Sequence, residues 1–294
     1  MTNTIAQPEA LVSSDWLLAH ANDPTIRIIE VDVDPKQYNA GHIPGAIGLD
    51  WAKDLQDPVR RDIPSKQALE ALLGSHGVSE AHTIILYGDS ANWFAAHAFW
   101  VLKIYGHADV RLLDGGRAKW LASETLPLTP ELPRHAPTTY RAKPADESLR
   151  ARVTEILAST SRVVMASSSA DGPRFQLVDV RSPDEFTGKI IAPPGMNETA
   201  QRAGHIPGAV NVPWAQAVNQ DGTFKSVDEL AKLYVEGKGL TKDGDTVAYC
   251  RIGERSSHTW FVLRYILGFK NVRNYDGSWT EYGNLVGAPI EKSV

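Results

Sequence analysis

One cysteine stands in this 294-residue chain, Cys250, and its neighbours are of the kind that make a thiol reactive. It follows the apolar run Thr246-Val247-Ala248-Tyr249 and opens the charged segment Cys250-Arg251-Ile252-Gly253-Glu254-Arg255-Ser256-Ser257. The thiolate is the nucleophilic form of cysteine, and nearby arginines or a helix N-terminus lower the pKa at which it forms. Arg251 and Arg255 supply fixed positive charge, and Gly253 permits a backbone conformation that other residues resist. A helix starting near Ser256 or Ser257 would aim its unpaired amides and positive dipole end at the sulfur. A tight loop can also turn amides inward as an anion nest, which would hold an oxyanion presented to the nucleophile. Free cysteine is more often a buried structural residue, but the charged, glycine-containing turn directly after a strand reverses those odds. Cys250 is the expected nucleophile, with Arg251, Gly253 and Arg255 expected around an anionic substrate.

Such a site needs a strand to end at the cysteine and a helix to leave it. Apolar runs rich in β-branched residues, Ile26 to Val31, Thr83 to Tyr87, Val110 to Leu113, Phe175 to Val180, Thr246 to Tyr249 and Val272 to Tyr275, read as buried strands. Helical spacing occupies Ser65 to His76, Asn92 to Tyr105, Ser226 to Glu236 and Ser256 to Leu267, and Ser226 with Glu229 forms a capping box. This alternation predicts an α/β fold of mostly parallel sheets flanked by helices on both faces, whose sites lie at the carboxyl ends of strands.

The chain also repeats. Ala40-Gly41-His42-Ile43-Pro44-Gly45-Ala46 recurs 163 residues later from Ala203 to Ala209, and each copy runs on to a tryptophan, Trp51 or Trp214. Glu30-Val31-Asp32-Val33 keeps step with Val178-Asp179-Val180-Arg181, Trp100 to Lys103 with Phe261 to Arg264, and Asp114-Gly115-Gly116 with Asp276-Gly277-Ser278. Two copies imply a duplicated domain, since a solenoid needs at least three stacked units. The stretch from Leu126 to Pro144 holds five prolines and little periodicity, which predicts a linker over 126–144 between domains over 1–125 and 145–294. The segment from Gly188 to Arg202 has no partner in the first half and reads as a flap over the catalytic site.

Composition narrows the partners. With 43% hydrophobic and 22% charged residues and a net charge of −5, the chain is an ordinary globular protein with no call for nucleic acid. A lone cysteine allows no internal disulfide and suits a reducing compartment. No signal segment opens the sequence and no apolar run is long enough for a bilayer, so a cytoplasmic protein without membrane contact is expected. The histidines lack ligand spacing, so neither metal nor cofactor is expected. His42 and His205 occupy matching motifs, only one of them in the half with a thiol, which favours a shared structural task. His258 lies close enough to influence the thiol, although a charged histidine early in a helix is disfavoured by the dipole. Asp179 and Arg181, at a strand end in the second half, are expected either to pair with each other or to line the pocket, with Arg181 the better substrate candidate of the two.

Taken together, the Asp179 to Phe186 run, both Gly-His-Ile-Pro-Gly-Ala motifs, the Cys-Arg-x-Gly loop and the Asp276-Gly277-Ser278-Trp279 run resemble the tandem-domain rhodanese sulfurtransferases. The resemblance implies a catalytic C-terminal domain whose cysteine takes a sulfane sulfur as a persulfide and passes it to cyanide or a thiol. It also implies a non-catalytic N-terminal domain, and there the equivalent strand ends Tyr87-Gly88-Asp89 without a thiol. Phosphatases of a related fold would carry arginine at position 256, which is serine here, so a shorter ring suited to sulfur is expected. Arg251 and Gly253 fit the family's thiosulfate pattern. Ile252 and Glu185 depart from it, replacing a lysine and an anion-binding arginine, and leave 3-mercaptopyruvate as an alternative donor. A persulfide carrier or redox sensor with little turnover is the alternative of another class.

Overall fold

The apolar runs form strands, all in parallel sheets, in a computed structural model that describes residues 4–165, 175–196 and 200–292. In the first sheet β1 (Leu11–Val12), β2 (Ile26–Asp32), β3 (Ile47–Asp50), β4 (Thr83–Tyr87) and β5 (Val110–Leu113) lie in the order β1-β5-β4-β2-β3. In the second, β6 (Phe175–Asp179), β7 (Val210–Asn211), β8 (Asp245–Tyr249) and β9 (Asn271–Tyr275) lie in the order β7-β6-β8-β9. Strands this apolar need cover, and flanking helices supply it; the helix Trp93–Ile104, for example, buries ten of its twelve residues. The short edge strands β1, β3 and β7, two to four residues long, carry too few residues for a period to show.

Two compact units result, one per sheet. The first comprises Gln7–Asp146 with Val218–Phe224; the second comprises Glu147–Ala217, the chain from Lys225 onward and the residues up to Ala6. The sequence boundary at residue 125 therefore shifts. Residues 126–144 form no helix and no strand longer than a bridge, but their backbone groups are satisfied on the first unit. His42 and Thr129 exchange N–H···O bonds of 2.9 Å, and the Thr138 N–H donates to the Gly74 carbonyl at 2.9 Å. Val218–Phe224 joins the same unit through the Phe224 N–H, which donates to Asp114 Oδ1 at 2.9 Å. Neither attachment leaves a periodic pattern in the sequence.

The capping box at Ser226 forms, with the Glu229 N–H donating to Ser226 Oγ and the Ser226 N–H to Glu229 Oε2. That helix, Val227–Ala231, and the helix Glu254–Phe261 each continue as a π-helical turn, Lys232–Glu236 and Val262–Ile266.

Strand register also corrects the alignment of the repeat. Glu30 pairs with Tyr87, and Asp179 pairs with Tyr249. Each tyrosine hydroxyl accepts the N–H of the isoleucine in its Gly-His-Ile motif, at 3.0 Å from Ile43 and 3.2 Å from Ile206. Glu30 thus corresponds to Asp179, Asp32 to Arg181 and Gly88 to Cys250, one residue off the match of Glu30 with Val178 read from the sequence. The segment from Gly188 to Arg202, of which 197–199 lie outside the described residues, absorbs the difference in length. Its end is fixed by the Arg202 guanidinium, which donates to the carbonyls of Tyr282, Gly283, Leu285 and Ala288.

Candidate active site

Cys250 follows the last residue of β8, and the helix Glu254–Phe261 leaves the loop four residues later. The helix starts two residues earlier than its spacing in the sequence indicates, because Gly253 takes the N-cap in a left-handed conformation, φ 103° and ψ −15°. Only glycine fits there: an added Cβ would lie 2.7 Å from Asp276 Cα. The Gly253 carbonyl accepts from Ser257 Oγ at 2.8 Å and Asn274 Nδ2 at 3.1 Å. Its N–H donates to Cys250 Sγ at 3.1 Å, so one glycine ties the sulfur to the helix start.

A second loop holds the first from beneath. Trp279 N–H donates to the Cys250 carbonyl at 3.1 Å, and Thr280 N–H to that of Arg251 at 3.0 Å. The Cys250 N–H donates to Ser278 Oγ at 3.0 Å, and that hydroxyl donates to the Tyr275 carbonyl at 2.6 Å. Ser278 adopts φ 52°, a left-handed conformation costly for a residue with a Cβ, and Gly116 adopts φ 53° at the matching place in the first unit. Ser278 was visible in the sequence only as part of a motif; its hydroxyl's task shows only when the two loops are brought together.

The electrostatics differ from the thiolate-favouring picture drawn from the sequence. Cys250 is fully buried, and burial pushes its thiol pKa up. Glu254 pushes it further, with Oε2 accepting from the thiol at 3.4 Å. Arg255 and the amide and hydroxyl of Ser256 act in the opposite direction without overcoming these two. The resting group is a thiol facing a carboxylate, and the sequence reading of the Cys250 loop had assigned Glu254 no task.

Arg255 sits in the first helical turn, 5% exposed, as does Arg251 in the loop at 5%. Its guanidinium forms a two-pronged pair with Glu185, Nη1 to Oε2 at 3.1 Å and Nη2 to Oε1 at 3.2 Å. Glu185 is held for this by its own capping box at the start of the helix Pro183–Thr187, where the Ser182 N–H donates to Oε2. Burial opposes its charge, yet the guanidinium and the Ser182 amide hold the carboxyl below the ordinary range. The departure at position 185 thus supplies a counter-charge to the arginine expected to bind an anion.

Of the two expectations for Arg181, the pairing with Asp179 is the one the structure shows, and the substrate contact is not. It is fully buried, paired with Asp179 at 2.6 Å, hydrogen-bonded to the Gly204 carbonyl at 2.8 Å, and stacked 4.5 Å from the Trp279 ring centroid. The first unit builds the same arrangement from another place in the chain. Arg117, which corresponds to Trp279, pairs with Glu30 at 2.6 Å and donates to the Gly41 carbonyl at 2.7 Å. A guanidinium joining the strand end to the Gly-His-Ile motif is present with or without a thiol, so Arg181 serves the fold. The paired histidines act likewise. His42 stacks on Tyr38 and bonds its carbonyl at 2.9 Å, and His205 stacks on Phe186 and bonds its carbonyl at 2.7 Å. His258, fully buried edge-on to Trp214, has its pKa pushed by burial down to about 3, so it is neutral. Among the described residues no group of three or more His, Cys, Asp or Glu could hold a metal, and no helix is long and apolar enough to cross a membrane.

Comparison with known proteins agrees with this geometry. The rhodanese-like domain family matches residues 13–123 and 165–285. Over 288 residues, 98% of this chain and 99% of the other, the sequence is 54% identical to a protein of Mycolicibacterium smegmatis named "Putative thiosulfate sulfurtransferase". It is 52% identical to the "Sulfur carrier protein TtuD" of Thermus thermophilus, with 98% of each chain covered. The crystal structure of SseA from Escherichia coli, titled as a 3-mercaptopyruvate sulfotransferase, superposes with a TM-score of 0.74 at 27% identity, covering 92% of this chain and 98% of that one. Two parallel-sheet units, a cysteine at the end of the central strand β8 of one and glycine at the same place in the other, place this chain in the rhodanese family as a tandem pair of rhodanese-like domains.

Proposed function

We propose that the sulfur moved by this sulfurtransferase comes from thiosulfate and travels as a persulfide on Cys250. The observation that carries the reading is the cysteine itself, at the carboxyl end of β8 with the Gly253 amide on its sulfur, Arg251 in its loop and Arg255 in the helical turn that follows. Sγ attacks the outer sulfur of thiosulfate, the S–S bond breaks, and sulfite departs with the electron pair while the arginines and loop amides offset its charge. Cyanide or a thiol then takes the outer sulfur. Sulfite is a good leaving group and needs no general acid. Gly253 shapes the loop that brings these groups to the sulfur. The first unit, with Gly88 in place of the cysteine, is assigned no chemistry.

The pairing of Arg255 with Glu185 favours a second reading, because a guanidinium already neutralised binds a free dianion less strongly. A persulfide carrier that receives sulfur from a partner and turns over small donors slowly fits that feature, as does the name of the Thermus relative. Turnover with thiosulfate and with 3-mercaptopyruvate, cyanide as acceptor, separates the readings, with mass spectrometry of Cys250 reporting the added sulfur. The thiosulfate reading requires ping-pong kinetics, a higher kcat/KM for thiosulfate and no turnover by C250S. Negligible rates with both donors alongside a stable persulfide would establish the carrier instead.

A further inference from the structure

We propose that Glu254 is a catalytic proton carrier for Cys250, taking the thiol proton as the sulfur is loaded and returning it as the persulfide is discharged. The inference rests on the persulfide chemistry proposed above and adds a catalytic residue to it.

Three observations carry it. Glu254 Oε2 accepts from the Cys250 thiol at 3.4 Å, so the carboxylate touches the reacting atom. An acidic residue at a helix start is favoured by the dipole, but Glu254 is only 3% exposed, and its other oxygen lies 3.6 Å from Arg255 Nε. Its counterpart in the unit without a thiol is Asn92, whose Oδ1 merely accepts the Gly88 N–H at 3.0 Å. The carboxylate therefore occurs where the thiol occurs. A fixed negative charge opposes thiolate formation at rest, and general acid–base chemistry gives it a use, since it can take the proton at the moment the sulfur reacts.

The steps balance. In the first, Sγ bonds to the outer sulfur of thiosulfate, sulfite leaves with the electrons of the broken S–S bond, and the thiol proton passes to Glu254. Glu254 then returns it to the outer sulfur, giving Cys250–S–SH. In the second, a thiol RSH gives its proton to Glu254 while its sulfur bonds to the outer sulfur. The bond to Sγ breaks, its electron pair stays on Sγ, and Glu254 reprotonates Sγ, leaving RSSH and the starting enzyme. Cyanide, held mostly as HCN at neutral pH, must likewise give up a proton, and the proton on the outer sulfur is released as thiocyanate forms, so discharge to either acceptor moves protons at this site.

The test uses the full-length protein loaded to the persulfide with inorganic polysulfide, so that it does not depend on thiosulfate as donor. The persulfide is then discharged with 2-mercaptoethanol from neutral pH to above the thiol's own pKa. In E254Q the discharge rate at neutral pH should fall by about 100-fold, the usual contribution of one acid–base group, and should recover toward wild type as pH rises and free thiolate accumulates. A neutral-pH rate equal to wild type, or a loss that stays the same at every pH, would overturn the proposal. Wild-type protein supplies an arm independent of folding: at neutral pH the thiol reaction should slow in heavy water, and an unchanged rate would also overturn it. Absence of any persulfide on wild-type Cys250 would instead refute the functional reading itself.

Discussion

Replacing Glu185 by Gln tests whether Arg255 is a donor-binding group held in check. Both partners are almost fully buried, with side-chain exposures of 7% and 0%, so the substitution leaves a guanidinium with little solvent to compensate it. Removing one partner of a buried pair costs about 3–5 kcal/mol, and Gln, which keeps one acceptor oxygen and its volume, should sit at the low end, near 3 kcal/mol in urea unfolding. The same uncompensated charge becomes available to the donor. A hydrogen bond to a charged group is worth about 1.5–3 kcal/mol, roughly 10- to 100-fold in affinity. Thiosulfate KM should fall by at least tenfold, and saturating thiosulfate should stabilise E185Q by about 1.4 kcal/mol more than wild type at equal ligand concentration. In an R255A background the Glu185 change should leave KM where R255A alone puts it, because the two residues act as one unit. A KM for E185Q equal to or above that of wild type would refute the assignment of Arg255 to the donor.

Ser278→Gly should relieve a left-handed strain of about 1 kcal/mol and lose a hydrogen bond of similar worth, leaving unfolding free energy within about 1 kcal/mol of wild type. Turnover should nevertheless fall, and S278A, which keeps the strain and loses the bond, should be less stable by about 1–2 kcal/mol; equal kcat in S278G and wild type would deny Ser278 a part in placing Cys250. His258 is neutral in the fold, with its pKa pushed by burial down to about 3, whereas an unfolded histidine titrates near 6.5. The stability it contributes is therefore full above about pH 6.5 and is lost as pH falls toward 3, about 2 kcal/mol of it between pH 7 and pH 5. H258F should lose about that much less stability than wild type over the same interval, measured by urea unfolding at both pH values; parallel losses would mean that His258 is protonated in the fold.

The features legible in the sequence are those written in consecutive residues. Strands β2, β4, β5, β6, β8 and β9 announce themselves as apolar runs, the capping box at Ser226 spans four positions, and Gly253 and Cys250 sit three apart in one loop. What escaped depends on residues far apart in the chain. Glu185 meets Arg255 across 70 positions and Ser278 meets Cys250 across 28, and neither spacing has a periodic signature. The thiol's ionisation was misjudged for a related reason. Counting arginines in the loop gives a positive site, whereas burial and the orientation of Glu254 decide the sign, and both are properties of packing. Arg181 stayed open between pairing with Asp179 and binding substrate because a cation at a strand end looks alike in sequence whether it binds a substrate or a buried carboxylate.

The duplicated fold acts as its own control for such ambiguities. Whatever both units share must serve the fold, because only one of them has a nucleophile. The guanidinium bound to the strand-end carboxylate and to the Gly-His-Ile motif falls out on that ground, contributed by Arg117 in one unit and Arg181 in the other. So do the two stacked histidines. What remains in the second unit alone is Cys250, Gly253, Glu254, the Arg255–Glu185 pair and the Ser278 hydroxyl, and all of them meet within one loop and its immediate supports. In the first unit the backbone packs closely around position 88. A Cβ at Gly88 would lie 2.1 Å from the Val31 carbonyl oxygen, so a cysteine there would need the backbone itself to move. With glycine at that place the loop packs directly against β2, an approach that any side chain at position 88 would prevent.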